Sequence, residues 1–196
     1  MLLQDKLKNY RLILASASPR RRELLAGCDL DFVLADKFEC EECYPADLPS
    51  EKVAEYLSQL KSNAYPHALG ERDILLTADT VVILGDKILG KPHSEAEAVE
   101  MISTLSGATH KVVTGVTLRT AERTISFSAE SLVSLRTLDA EEIGYYVEKY
   151  RPLDKAGAYG IQEWIGYIGI EGIKGSFYNV MGLPVQRLYS ALKELI

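Results

Sequence analysis

Twelve residues, Asp73–Leu84 or "DILLTADTVVIL", constrain this chain more than any other stretch. Isoleucine, leucine and valine on both sides of a polar Thr-Ala-Asp-Thr centre predict a buried strand in the middle of a sheet. Polar groups are costly to bury, so a core strand carries them at its midpoint only for a reason. An unpaired Asp79 carboxylate would be worse still and needs a partner. That partner is either a structural arginine or, in a functional reading, a metal ion or a water for which Asp79 acts as base, since desolvation favours base chemistry. Thr80 adds a hydroxyl beside it.

Around this strand the pattern alternates between short apolar runs and amphipathic helices. "RLILA" (Arg11–Ala15) predicts a buried strand that turns into a helix stopping at Gly27, and "DFVLA" (Asp31–Ala35) predicts another strand. Ser50 is placed to cap a helix to about Ala68, with Val53, Leu57, Leu60 and Ala64 on one face. Ser94 and Glu97 form a capping box for a helix to about Ser106, and Asp139 with Glu142 repeats that logic through Lys149. Two long strands are expected on either side of Ala121 and Glu122, short strands with tight turns over "WIGYIGIEGIKG", and a last helix from Pro184. This order predicts an α/β fold, a mixed twisted sheet flanked by helices, in one domain over residues 1–196.

Of the 196 residues 47% are hydrophobic and 26% charged, which argues for a folded chain rather than disorder. The net charge of −6 disfavours an extended nucleic-acid partner but allows a local basic pocket. No apolar run reaches the roughly 20 residues that span a bilayer, and "MLLQDKLKNYR" lacks the features of a signal peptide, so a cytoplasmic location without membrane contact is expected. Cys28, Cys40 and Cys43 are an odd set, and no second CxxC or HxxxH completes a zinc site around Cys40 and Cys43.

Two phosphate-loop patterns fail on inspection. Gly85–Lys91, "GDKILGK", fits the G-x-x-x-x-G-K pattern, but Pro92 follows where a magnesium-binding hydroxyl is needed, and a hairpin turn at Gly85 and Asp86 explains the run better. The glycines at 166, 169, 172 and 175 do not make G-x-G-x-x-G.

Charge is better placed in "LASASPRRREL". Ser16, Ala17 and Ser18 are small enough for a ligand to approach the backbone, Ser18 suits an N-cap and Pro19 the first helical position. Arg20, Arg21 and Arg22 then crowd a helix start whose dipole repels them, an arrangement suited to a polyphosphate, whereas arginines on a solvated face are the plainer alternative. The glutamates of "ECEECYP" offer oxygen ligands to a hard divalent ion.

Together these motifs resemble the Maf family of nucleoside triphosphate pyrophosphatases along nearly the whole chain: "LASASPRRRELL", "ADTVV", "GKP", "PLDKAGAYGIQ" and "NVMGLP" occur in the family's order. The resemblance implies hydrolysis of a nucleoside triphosphate to monophosphate and pyrophosphate, with a divalent metal (Mg²⁺, or Mn²⁺), in the cleft of an elongated, bilobal Maf/ITPase-like fold that is often homodimeric. It implies Asp79 as proton acceptor; Arg20, Arg21, Lys61 and Lys91 as phosphate contacts; Ser16 lining the loop; and Glu42, or else Glu41, holding metal with Asp79. Asp154 and Lys155 would contact substrate as well. "YLSQLKSNAY" departs from the family by lacking Glu before Lys61. Arg20, Thr80 and Gln162 match the branch acting on dTTP and UTP, whereas the branch acting on 7-methyl-GTP resembles "SPW", "SDQ" and "SEG" there. The Gln162 amide can match the O4 and N3–H edge of uracil or thymine. A nucleotide-sensing regulator of cell division that does not turn its ligand over is the alternative, and an enzyme acting on another phosphoanhydride is a third.

Overall fold

A computed structural model describes residues Leu2–Ile196. Strand β1 (Arg11–Leu14) pairs in parallel with β2 (Val33–Leu34) on one side and with β3 (Asp73–Leu84) on the other. The β1–β3 register sets Arg11 opposite Asp73, and the guanidinium grips that carboxylate through two hydrogen bonds of 2.8 Å. Arg11 holds the Asp73 carboxyl below the usual carboxylate range, helped by the Gly70 N–H, so the charge pair locks both strands at their starting residues. β3 returns through a turn at Gly85 and Asp86 to pair antiparallel with β4 (Lys87–Leu89). The sheet order is β2-β1-β3-β5-β6-β7, with β5 at Thr109–Arg119, β6 at Thr124–Leu135 and β7 at Ile170–Lys174 antiparallel to β6. A sheet with parallel and antiparallel pairs, its strands interleaved with helices, is the mixed α/β architecture expected.

The chain divides into two compact units within β3, β5 and β6. The first comprises the chain up to Asp79, Thr114–Ala129 and Gly182–Ile196. It holds α1 (Leu3–Leu7), α2 (Pro19–Ala26), α3 (Ser50–Ala64) and α8 (Val185–Leu195). Helix α3 lies against β5 so closely that a Cβ on Gly115 would stand 2.2 Å from the backbone carbonyl of Ala54. The Ser58 hydroxyl meets Thr117 Oγ1 at 2.8 Å, and the Thr77 hydroxyl donates to Ser58 O at 2.7 Å, so buried polar atoms bind α3 to β3 and β5.

The second unit, Thr80–Val113 and Glu130–Met181, holds α4 (Glu95–Leu105), α5 (Ala140–Tyr150), α6 (Trp164–Gly169) and α7 (Phe177–Met181). Ser94 caps α4 by accepting the Glu97 N–H, but the Glu97 carboxylate accepts from the His93 N–H rather than from Ser94, so only half of the expected capping box forms there; Asp139 and Glu142 complete the reciprocal box on α5, as the spacing predicts. Among the described residues no helix is long and apolar enough to cross a membrane.

Four expectations need correction. Pro49, not Ser50, stands at the N-cap of α3; Ser50 is already helical and its hydroxyl bonds Glu51. The helix stops at Ala64 rather than Ala68 because Pro66 drives Tyr65 into extended backbone, φ −60° and ψ 121°. The strand over residues 31–35 shrinks to two exposed residues at the sheet's margin. "WIGYIG" forms α6 instead of strands: Gly166 passes so near Ile161 O that a Cβ would sit 1.7 Å from it, and Ile165 and Gly169, four apart, form its buried face.

Candidate active site

The first unit collects the acid, the basic corner and a lysine. β1 ends at Leu14, and after the Ala-Ser-Ala-Ser turn Ser18 caps α2, accepting the Arg21 N–H at 3.5 Å, with Pro19 in the first helical position. The three arginines then diverge. Arg21 turns inward, donating to Gly182 O at 2.8 Å, Ala78 O at 2.8 Å and Ser16 Oγ at 3.2 Å. Burial pushes its pKa down, opposed mainly by the negative field of Asp79. It therefore ties the start of α2 to the residue preceding the acid. Arg20 is partly exposed, and Arg22 is exposed with a 3.4 Å donation to Ala17 O.

Asp79 does have a charged partner, and it is a lysine rather than an arginine. Lys61, three residues before the end of α3, places Nζ 2.5 Å from Asp79 Oδ1 and 3.0 Å from Glu42 Oε2. Lys61 and Asp79 side chains are 17% and 13% exposed against 50% for Glu42, so the inner pair is shielded and the third member reaches solvent. Of the acidic-loop glutamates, Glu42 is the one drawn to the lysine; Glu41 instead accepts from the Cys43 thiol at 3.5 Å. Cys40 lies in the same field: burial pushes its thiol up, and Glu42 adds to that. All three cysteines are free thiols.

Whether a metal fits can be judged from this donor set. Among the described residues no three His, Cys, Asp or Glu side chains are grouped to cage an ion. Mg²⁺ does not require such a cage: one or two carboxylates plus waters and substrate phosphate oxygens are its usual shell. Asp79 and Glu42, both hard oxygen donors converging on one cationic atom, fit that description.

In the second unit Thr80 continues β3, and the exposed Lys91 follows β4. The loop after α5 is tied to that neighbourhood by Gly157, whose N–H donates to Gly90 O at 3.0 Å. Its φ of +69° and the Val82 side chain 3.0 Å from any added Cβ both demand glycine. Lys155 is 7% exposed and binds Asp154 Oδ1 at 2.7 Å and Glu163 Oε1 at 3.3 Å. Gln162 is partly buried, and its Oε1 is shielded from solvent with no hydrogen-bond partner among the described residues. Two residues in contact with this cluster have no signal in the sequence: Glu163, which shares Lys155 with Asp154, and Tyr146, whose buried hydroxyl donates to Glu163. Tyr146 sits on the apolar face of α5 and reads there as core.

The family model described as "Maf-like protein" matches residues 11–195. The chain belongs to the Maf family. This Maf chain is 53% identical over 189 residues to a dTTP/UTP pyrophosphatase of Bacteroides thetaiotaomicron, covering 96% of this chain and 98% of the relative. It is 53% identical over 192 residues to the protein of that name from Porphyromonas gingivalis, covering 97% and 96%. A Flavobacterium johnsoniae protein, also named dTTP/UTP pyrophosphatase, is 43% identical over 195 residues with both chains fully covered.

Proposed function

We propose that this chain hydrolyses nucleoside triphosphates, dTTP and UTP above all, to the monophosphate and pyrophosphate. The observation that carries the reading is Asp79: a carboxylate set in an apolar strand, sharing one lysine with Glu42, with Arg21 bonded to the carbonyl of the residue before it. Relatives about half identical over nearly their whole length bear the name dTTP/UTP pyrophosphatase, which supports the same substrates here.

Asp79 accepts a proton from water, whose oxygen bonds to the α-phosphorus while the bond to the bridging oxygen breaks and pyrophosphate leaves. Arg20 and Lys91 bind the triphosphate, whereas Arg21 and Ser16 shape the corner from within, their donors and hydroxyl engaged with each other and with the backbone. Lys61 holds and aims the Asp79 carboxylate through its charge-assisted hydrogen bond. Asp79 and Glu42 would hold Mg²⁺ or Mn²⁺, which supplies neutralisation of phosphate charge when bound. Such positioning and charge stabilisation carry most of phosphoryl chemistry.

Base choice rests on Gln162. Its amide can accept from N3–H and donate to O4 of uracil or thymine together, a pattern that cytosine, with no N3–H and an amino group at C4, does not offer. Thr80 contributes a hydroxyl, and Asp154 and Lys155 contact the substrate too. The work is on free nucleotides in the cytoplasm, in keeping with a net charge of −6 that repels nucleic acid, and by a homodimer; its substrates include non-canonical nucleotides. Incubating the purified chain with dTTP or UTP and Mg²⁺ and separating the products tests the reading. Monophosphate and pyrophosphate in equal amounts are expected; intact triphosphate, or diphosphate and inorganic phosphate, would refute it.

A further inference from the structure

Lys155 is nine-tenths buried yet lies between two carboxylates, Asp154 at 2.7 Å and Glu163 at 3.3 Å. Two acceptors engage an ammonium that has three N–H groups, so one donor remains to be used. The two carboxylate oxygens already on Lys155 Nζ would repel a phosphate brought up to the same atom. An uncharged oxygen, a base carbonyl or a sugar hydroxyl, suits it better.

Glu163 is itself held from both ends. Its backbone stands at the N-cap of α6, with its N–H on Gly160 O at 3.0 Å. Its Oε2 receives the Tyr146 hydroxyl, and that hydroxyl in turn accepts the Gly160 N–H at 2.9 Å, so the phenol's proton and a lone pair are both committed. Gly160 is closed to a larger side chain by the same cluster: a Cβ would stand 2.9 Å from Glu163 Cδ, 3.0 Å from its Oε2 and 3.2 Å from Lys155 Cε. The chain has therefore shaped backbone, phenol and carboxylate around one ammonium.

We propose that Glu163, locked by Tyr146, is a positioning residue for Lys155, and that the ammonium so aimed donates its remaining N–H to an uncharged oxygen of the nucleoside half of the substrate. This rests on the nucleotide hydrolysis proposed above. It separates Lys155 from the phosphate-binding arginines: its work is reading the nucleoside.

The test compares wild type, Glu163→Gln and Tyr146→Phe, measuring kcat and KM for UTP and the inhibition constant of inorganic tripolyphosphate, which has no nucleoside. Glu163→Gln keeps the shape and loses the charge, and KM for UTP is expected to rise about tenfold with kcat within about threefold. Tyr146→Phe shifts KM in the same direction by less, and tripolyphosphate inhibits all three equally. Should Glu163→Gln fail to melt cooperatively, Tyr146→Phe decides alone. An unchanged KM, or tripolyphosphate weakened in step with UTP, overturns the inference while leaving hydrolysis intact. If wild type does not cleave UTP or dTTP, the hydrolysis reading fails instead. Calorimetric binding of UMP then tests this one, weaker in the variants if correct and equal to wild type if wrong.

Discussion

Lys61 satisfies Asp79 and Glu42 at once, so removing its charge strands a shielded carboxylate. Lys61→Met is expected to destabilise the fold by about 1–3 kcal/mol, the range for leaving a shielded acceptor unpaired, and denaturant titration measures it. The need for a partner at Asp79 was legible in an apolar strand; its identity was not, because no spacing rule links Asp79 to Lys61, 18 residues away on a different element, and the run of three arginines is the more conspicuous source of charge. Arg21 shows the opposite limit: a run of three arginines reads as one patch, and only three-dimensional neighbours separate the inward tether from its exposed companion. His110 gives a pH prediction. It is buried on Tyr159 at 2.7 Å, and burial lowers its pKa from 6.5 to about 4. Between those values the unfolded chain binds the proton that the folded one refuses, so stability falls as pH drops from 6.5 toward 4, by on the order of 3 kcal/mol in all. Thermal melts at pH 7 and 4.5 should show a larger drop for wild type than for His110→Gln; equal drops would contradict this origin.

Among the elements, helices announced by caps and a single apolar face were the most readable. α4 and α5 start where Ser94 and Asp139 predict because a side-chain oxygen satisfies an otherwise unpaired N–H. Asp139→Ala should cost about 1 kcal/mol, seen as a lowered melting temperature. α6 was misread because the glycines of "WIGYIG" suggest turns, while the reason for Gly166, the approach of Ile161 O, exists only in the folded chain. Gly115 has a similar hidden role. Gly115→Ala would force α3 off β5, at the top of the ~1–3 kcal/mol overpacking range or beyond, and denaturant titration would register it. As α3 carries Lys61, activity should fall with it.

For the whole molecule, the alternation of strands and helices was enough to predict a mixed sheet, because parallel neighbours need crossover helices and the long pair around Ala121 and Glu122 needs only a turn. The motif order carried the family and, through it, the candidate residues; the pairing of Glu163 with Lys155 had no counterpart in pattern or spacing. In the proposed reading, affinity at the arginine corner is electrostatic, which leaves the chemistry to Asp79. The most direct measurement is therefore pyrophosphate release from UTP by wild type and Asp79→Asn, alongside equilibrium binding of a non-hydrolysable UTP analogue. The expected result is a rate at least about 100-fold lower in the variant with binding changed only a few-fold. Release at the wild-type rate would contradict the assignment of Asp79 as the base.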